Sequence, residues 1–289
     1  MEAGRSAWYW GAPLPDGEFN ATVFVDPGKV RPADYLQLLM ESRLLGPALK
    51  HAEVCTEIRV CDSTSFDDPS PVSATWIKVG DAALAIDPLS SQGVQTAIGT
   101  SLHAAAVLNT IIENPEDTGL AIGFYAARLA ESASFHSQAV SRFYQEQYAS
   151  CGETFWQKRA DHFSAKIGLT RPSGRLAPNS ILRLTPSLEF APVAVVKGAR
   201  VVRENGIKYG SKTAAYVEDG RLIAGLLREL VQPIAAVELV KRWSRNMPAR
   251  QALKILNWTW AEGLILCDAP DWSEVRRDQV AKGMFVTTT

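Results

Sequence analysis

Alternating apolar and polar positions predict β-structure in the first part of the chain. Segment 6–26 places an aromatic run before a Pro-Asp-Gly turn, and apolar side chains alternate in the run that follows. Aromatic and β-branched residues around such a turn indicate two antiparallel strands. Shorter alternating runs at 53–61 and 75–79 predict two further strands.

A helical period dominates the middle of the chain. Pro32 to Leu45 is predicted to be helical, and a long amphipathic helix is predicted to begin at Gly93. Its apolar stripe consists of Val94, Ile98, Leu102, Ala105, Leu108 and Ile112. Such a stripe is typical of a surface helix in a globular protein. The same period predicts helices over 115–148 and 153–167.

The pattern changes in the last third of the chain. Prolines at four positions between 168 and 192 predict an irregular connection. Beyond it the pattern predicts a strand pair over 198–217 and helices over 219–231, 233–243 and 248–263. We therefore expect a first domain at 1–169, a linker at 170–197, and a small α-rich C-terminal domain at 198–289, for which a winged helix is one candidate.

Composition places the chain among ordinary globular proteins. It has 289 residues, of which 46% are hydrophobic and 21% charged. No apolar run approaches the ~20 residues that span a bilayer, and the N-terminus lacks the apolar core of a signal peptide. The four Cys and four His show no metal-ligand spacing, so no metal site is expected and a reducing cytoplasm is the expected location.

The near-zero net charge of -1 conceals an asymmetry. Residues 1–169 carry an excess of acidic side chains, and residues 170–289 carry a comparable excess of Lys and Arg. The change of sign supports a division into two parts and suggests an acidic partner for the second, although an uneven scatter of solvated charges explains it equally well.

The residues best suited to bind a ligand lie between Gly80, at the end of a predicted strand, and Gly93, at the start of a predicted helix. Gly80 has no Cβ, so a ligand can approach the backbone there, and Asp81 can accept hydrogen bonds from sugar or ribitol hydroxyls. The free N–H groups of the first helical turn favour negative charge, as on the N1–C2=O edge of a reduced flavin. The alternative is that Asp87, Ser90 or Ser91 merely caps a core helix.

This segment resembles the second FAD-binding motif of group A flavin monooxygenases and flavin-dependent halogenases, which share the p-hydroxybenzoate hydroxylase fold. The matching run is VGDAALAIDPLSSQGV, from Val79 to Val94. The resemblance implies that Asp81 binds the ribitol chain of FAD and that Pro88, Gly93 and Val94 lie along the flavin ring. The cofactor-binding residues that it implies are Gly80, Asp81, Asp87, Pro88, Ser91, Gln92, Gly93 and Val94.

A second resemblance lies in the predicted hairpin. The run Trp8-Tyr9-Trp10-Gly11-Ala12-Pro13 is similar to the halogenases' Trp-x-Trp-x-Ile-Pro signature, with Ala12 in place of Ile. It implies that Trp8, Trp10 and Pro13 lie on the substrate side, whereas an aromatic hairpin that packs a core is the alternative. Gln92 replaces the small residue that many halogenases carry near their halide site, which puts chloride binding in doubt.

The combined motifs look most similar to halogenase-like flavoproteins that mature tryptophylquinone amino-acid oxidases by modifying a Trp of a partner protein. A complete member begins with a Rossmann unit whose G-x-G-x-x-G holds the FAD pyrophosphate. None of the 20 Gly here lies two positions from another, so that fingerprint is absent. We therefore expect this chain to be the C-terminal portion of a flavoprotein that is completed by an N-terminal half. Without that half, we expect the chain not to retain FAD.

The expected fold is α/β (α+β): part of a p-hydroxybenzoate hydroxylase-like domain without its Rossmann βαβ unit, followed by the small C-terminal domain. The chain is expected to form part of an FAD-dependent monooxygenase or halogenase. Its substrate is expected to be an aromatic small molecule or a Trp of a partner protein. No catalytic acid or base can be assigned. The alternatives are a non-catalytic, partner-binding scaffold and, through basic residues 241–254, a DNA-binding protein; nucleic acid and membrane partners are not favoured.

Overall fold

The computed structural model describes residues 1–26, 31–164, 176–210, 212–217 and 220–267. The chain divides into two compact units, Met1–Gly168 and Leu169–Thr289. Both combine helices with small antiparallel sheets, so the mixed α and β character expected from the sequence is confirmed.

Unit 1 begins with a three-stranded antiparallel sheet. It contains β1 (Glu2–Ala3), β2 (Trp8–Pro13) and β3 (Phe19–Phe24), in that spatial order. Trp8 pairs with Phe24 across β2 and β3, and their rings stack 3.5 Å apart. The predicted hairpin is confirmed.

The helix predicted from Pro32 to Leu45 is confirmed only in part. After a single 3-10 turn it forms α1 (Tyr35–Met40), and α2 (Leu45–Ala48) follows a break. The break coincides with a long-range contact, because the backbone N–H groups of Arg43 and Leu44 both donate to the carboxylate of Glu2 in β1, each over 2.9 Å.

Two predicted strands are wrong. Residues 53–61 form no strand, and within 75–79 Ile77 makes only an isolated bridge to Val72. An alternating segment becomes a strand only when a neighbouring strand accepts its backbone hydrogen bonds, and the described residues provide none beside these two runs. A short pair formed by β4 (Phe66–Asp67) and β5 (Leu84–Ala85) lies between them and α3.

Three helices complete unit 1: α3 (Gly93–Glu113), α4 (Thr118–Cys151) and α5 (Thr154–Ser164). All three agree with the helical period, although 165–167 of the last prediction lie outside the described residues. α4 contacts both α3 and α5. Gly152, at a φ of 68°, ends α4 in a left-handed conformation that glycine adopts without strain.

The orientation of α3 is opposite to what its apolar stripe suggests. All residues of the stripe are exposed, and its larger side chains range from 43% exposed for Leu108 to 78% for Val94. The buried face carries smaller and more polar side chains, namely Thr96, Thr100, Ala104, Ala106, Val107 and Thr110. Since small residues allow helices to approach closely, this face packs against α4.

Unit 2 contains a long antiparallel hairpin and a compact helical part. The hairpin sheet consists of β7 (Leu188–Lys197), β8 (Arg200–Tyr209) and β9 (Lys212–Ala214). The helices are α6 (Ile223–Leu227), α7 (Ala236–Trp243) and α8 (Ala249–Ala261). A second sheet has the order β10-β6-β11, formed by β6 (Ile181–Leu184), β10 (Ile234–Ala235) and β11 (Ile265–Cys267).

The irregular connection predicted between 168 and 192 is wrong over its second half, which contains β6 and the start of β7, and the linker bounds 170–197 stay a prediction. Within the described part of the chain β7 pairs only with β8, and Pro192 is compatible with such an edge strand. One core cluster joins the helices to both sheets and includes Leu182, Ile207, Leu239 and Leu264. The winged-helix assignment stays a prediction.

Among the described residues, no helix combines the length and the apolar character that a membrane crossing requires.

Candidate functional site

Gly80 anchors the candidate site on α3. It is buried at a φ of 57°, and its N–H donates to the hydroxyl of Thr100 over 2.9 Å. A Cβ at this position would lie 3.2 Å from the Cβ of Ala97. Both the positive φ and the close approach of α3 therefore require glycine, whereas the approach of a ligand to this backbone stays a prediction.

Asp81 follows in the 3-10 turn Gly80–Ala82 and is exposed. The turn contacts α3, so the fold presents this carboxyl group at the surface beside the helix. An exposed carboxylate on a fixed turn can accept hydrogen bonds from the hydroxyl groups of a ligand.

Asp87 is held by the protein on both oxygens. Its Oδ1 accepts from the N–H of Leu89 over 2.9 Å, and its Oδ2 accepts from the hydroxyl of Tyr144 over 2.8 Å. Burial raises the pKa of Asp87, although these two hydrogen bonds and the charge of Arg159 oppose the rise. The same burial and the neighbouring carboxylate raise the pKa of Tyr144. In this geometry Asp87 fixes the loop.

The loop then turns sharply into α3. The hydroxyl of Ser90 donates to the carbonyl of Asp87 over 2.9 Å, and Ser91 adopts a left-handed conformation with a φ of 54°. Pro88 begins this 3-10 turn, where its fixed φ is favourable. The turn delivers the chain to the first residue of α3.

The N-terminus of α3 is open. Thr96 makes the first helical hydrogen bond, donating to the carbonyl of Gln92 over 2.9 Å, and no side chain of Gln92 caps the helix. A Cβ built on Gly93 would meet no atom within 4 Å. The N–H groups of this first turn have no partner within the helix, so the site can hold a negatively charged or carbonyl edge.

The three hairpin residues differ in their surroundings. Trp8 is buried in a cluster with Val140, Tyr144 and Trp156, whereas Trp10 is 37% exposed and Pro13 is exposed. Trp8 therefore packs the core of unit 1. Trp10 and Pro13 remain accessible.

Sequence reasoning missed the residues that support the loop. Tyr144 lies 57 positions from Asp87 and Thr100 lies 20 positions from Gly80. No local spacing links these pairs, because Thr100 meets Gly80 where α3 packs on the Gly80 turn, and Tyr144 meets Asp87 where α4 packs on the loop before α3. Among the described residues, no group of three His, Cys, Asp or Glu side chains is placed to hold a metal ion.

No protein-family model matches the sequence. One curated relative, the putative FAD-dependent oxidoreductase LodB of Marinomonas mediterranea, is 25% identical over 166 residues, which are 55% of this chain and 43% of LodB.

Two solved structures share the fold. The flavin-dependent halogenase CmlS matches with a TM-score of 0.75 and 20% identity, over 93% of this chain and 59% of its own. The peptidyl tryptophan dihydroxylase QhpG, described as essential for tryptophylquinone cofactor biogenesis, matches with a TM-score of 0.64 and 23% identity, over 91% of this chain and 59% of its own. The chain thus spans less than two thirds of each of these three proteins, and it has the fold of the corresponding portion of CmlS and QhpG.

Proposed function

We propose that this chain forms part of the FAD site of an oxidoreductase that acts on an aromatic substrate. The observation that carries the proposal is the open N-terminus of α3, reached through the glycine turn at Gly80. The helix dipole and free N–H groups there suit the pyrimidine edge of a flavin, which becomes negative on reduction. When bound, FAD would supply the redox chemistry and the reaction with oxygen.

Different residues of the loop would contact different parts of the cofactor. The N–H groups of Gly93 and Val94 would face the ring edge, and Asp81 would accept hydrogen bonds from the ribitol hydroxyls. Asp87 would act indirectly, because its carboxylate already holds Leu89 and Tyr144. The open space around Gly93 fits a ring that approaches the backbone closely.

The hairpin and the comparisons support the proposed substrate class. QhpG is named for its action on a peptidyl tryptophan, and CmlS for halogenation. Exposed Trp10 and Pro13 offer an apolar surface for an electron-rich ring, such as a Trp of a partner protein. Oxygenation is favoured over halogenation, since Gln92 replaces the small residue that the halogenase resemblance leads us to expect near a halide.

The exposed stripe of α3 supports completion of the site by a further polypeptide segment. From Val94 to Ile112 it extends for about 27 Å at 1.5 Å per residue. A contiguous apolar surface of this kind marks an interaction site. The proposed occupant is a segment that carries the phosphate-binding glycine loop, which this sequence lacks. The portions of CmlS and QhpG without a counterpart here are long enough to provide one.

The first experiment measures flavin retention. The chain is purified alone and fused behind the portion of QhpG that has no counterpart here, and visible flavin absorbance is read after gel filtration. We expect a colourless chain and a yellow fusion. A yellow chain would refute the need for completion, and a folded fusion without flavin would refute the FAD site.

A matched pair of glycine variants separates the site from the fold. Gly93→Leu fills the space in front of the helix, and Gly119→Leu adds the same side chain at an exposed position of α4 where a Cβ also meets nothing. In the fusion we expect the first variant to lose flavin and the second to keep it. Equal retention would contradict the placement of the ring at Gly93.

The apolar stripe is tested by adding charge. Ile98→Lys with Leu102→Lys changes two exposed positions, so the helix content of the chain alone should not change. In the fusion the same variant should lose flavin, because two Lys cannot be buried without partners. Full retention would show that the stripe is not the interface.

A second candidate function rests on the basic face of unit 2. Lys241, Arg242, Arg245, Arg250 and Lys254 are all exposed on or between α7 and α8. This arrangement suits an acidic protein surface or, less well, duplex DNA. Binding to duplex DNA that weakens steeply with salt would favour the DNA interpretation, and its absence would remove it.

A further inference from the structure

A network of charged and polar side chains connects the hairpin to the loop before α3, with Arg159 of α5 at its centre. The Nη1 of Arg159 donates to Oδ1 of Asp26 over 2.9 Å and to the carbonyl of Phe155 over 3.1 Å. Its guanidinium carbon lies 3.7 Å from the centre of the Phe155 ring. The side chains of Arg159 and Asp26 are only 22% and 19% exposed, so this ion pair is screened less than a pair on the open surface.

The same guanidinium reaches Tyr144 on the neighbouring helix. Tyr144 and Arg159 lie on α4 and α5, which pack against each other. Burial raises the pKa of Tyr144 most, and a hydrogen bond from Arg159 opposes that rise. A guanidinium has five N–H donors and Nη1 carries two of them, so donors remain for Tyr144 beyond those that Asp26 and Phe155 accept.

The contact with Arg159 fixes the direction of the Tyr144 hydroxyl proton. A phenol has one O–H group, and a guanidinium offers no acceptor for it. The proton therefore points to Asp87, whose Oδ2 accepts it over 2.8 Å. The hydrogen bonds run in one direction, from a cation through a neutral hydroxyl to a carboxylate, and such a series strengthens each of its members.

Asp87, at the end of the network, holds the loop that leads into α3. Its Oδ1 accepts from the N–H of Leu89 over 2.9 Å, and Ser91 follows in a left-handed conformation. A residue other than glycine keeps such a conformation only where the surrounding structure determines it. Because α3 begins two residues after Ser91, a change at Asp87 reaches the N-terminus of the helix through a short, constrained segment.

The other end of the network lies beside the hairpin. Asp26, which pairs with Arg159, follows the last residue of β3 by two positions. We propose that Arg159 is a positioning residue, which acts through Tyr144 and Asp87 to hold the loop before α3 in a fixed place relative to the hairpin. The role of Arg159 rests on the proposed function, since the loop leads to the proposed flavin site and the hairpin carries the proposed substrate surface.

The first measurement uses the chain without flavin and follows exchange of the Leu89 amide hydrogen by NMR. Arg159→Met removes the charge and keeps a long side chain, and we expect exchange at Leu89 to become about tenfold faster or more, because the loop opens locally. The buried amide of Val107 in α3 should not change and reports general unfolding. Lys158→Met removes a positive charge at the adjacent, exposed position of α5 and should leave both amides unchanged.

A second variant shows whether Arg159 acts through the network. Tyr144→Phe removes only the hydroxyl that donates to Asp87 and should itself accelerate exchange at Leu89. In that background Arg159→Met should add no further acceleration, because the connection is already broken. An undiminished effect of Arg159→Met there would show that the residue acts without Tyr144. That result, or equal acceleration at Leu89 and Val107 in both single variants, would overturn the proposal.

The second measurement uses the fusion with the QhpG portion and titrates it with flavin. Arg159→Met should weaken flavin binding about tenfold or more, because the helix N-terminus is displaced, and Lys158→Met should not. Unchanged affinity in Arg159→Met would overturn the positioning role and leave the FAD site intact. An unaltered fusion that binds no flavin would instead refute the proposed function, and exchange at Leu89 would still decide whether Arg159 holds the loop.

Discussion

The two units differ in where their helices place apolar side chains. In unit 2 the apolar residues of α6, α7 and the short sheet converge on one core, where Leu182, Leu227 and Leu239 are fully buried. In unit 1 the regular apolar stripe of α3 faces outward. The comparison shows that the hydrophobic period of a sequence locates a helix and its apolar stripe. The period does not show whether the surface that covers the stripe belongs to the same structure.

The inner face of α3 explains how the helix stays attached without its stripe. Thr100 accepts the N–H of Gly80 and donates to the carbonyl of Ala97, and Thr96 lies beside His136. Small side chains and specific hydrogen bonds thus replace bulk apolar burial on this face. Unit 2 depends on bulk burial, and unit 1 depends in part on polar contacts.

The largest expected difference between the units comes from removing a leucine in each. Leu239→Ala leaves a cavity in the core of unit 2 and should lower the free energy of unfolding by about 2–5 kcal/mol. Leu102→Ala removes an exposed side chain of α3 and should change it by less than about 0.5 kcal/mol. Urea unfolding followed by circular dichroism measures both, and equal losses would show that the stripe is buried in solution.

Two left-handed glycines give a smaller contrast. Gly263→Ala in unit 2 meets no atom within 4 Å, so only the backbone cost of about 1–2 kcal/mol applies at its φ of 72°. Gly80→Ala in unit 1 adds a contact of 3.2 Å with Ala97 to the same backbone cost. Gly80→Ala should therefore be the more destabilising variant in thermal unfolding. The reverse order would mean that the Gly80 turn is not anchored on α3.

The smallest expected effect is a pH dependence at Asp87. Because burial raises its pKa in the folded state, its contribution to stability is fully present below the ordinary carboxyl pKa and is lost as pH rises through the raised value. Asp87→Asn has no such dependence, so its stability relative to the unchanged protein should improve from about pH 4 to about pH 7. The free energies of unfolding of both proteins, measured at several pH values, check this prediction. A difference between them that does not change with pH would show that Asp87 is exposed to solvent.

Much of the local structure could be predicted from the sequence. The hairpin, the start of α3 at Gly93 and the long α4 follow from turn residues and helical period, which act over a few positions. The strands at 53–61 and 75–79 could not be predicted correctly, since a strand depends on a distant partner. The second half of the expected linker forms β6 and β7 for the same reason, because its pairing partners lie farther along the chain.

The candidate site shows the same limit. Gly80 and Gly93 could be recognised from the motif. The positive φ of Gly80 is a local reason for glycine there, whereas the fold itself leaves room for a Cβ at Gly93. The engagement of Asp87 by Tyr144 could not be recognised, because it depends on how α4 lies across the loop.

The sequence by itself determined which segments form the three long helices of unit 1, and that a glycine stands at the turn before α3. Only the tertiary structure decided which face of α3 is buried. Both faces of that helix offer a continuous stripe, one apolar and one of small Thr and Ala residues. The small-residue stripe is the one buried against α4, because it permits close packing and hydrogen bonds to the loop, and the apolar stripe is left exposed.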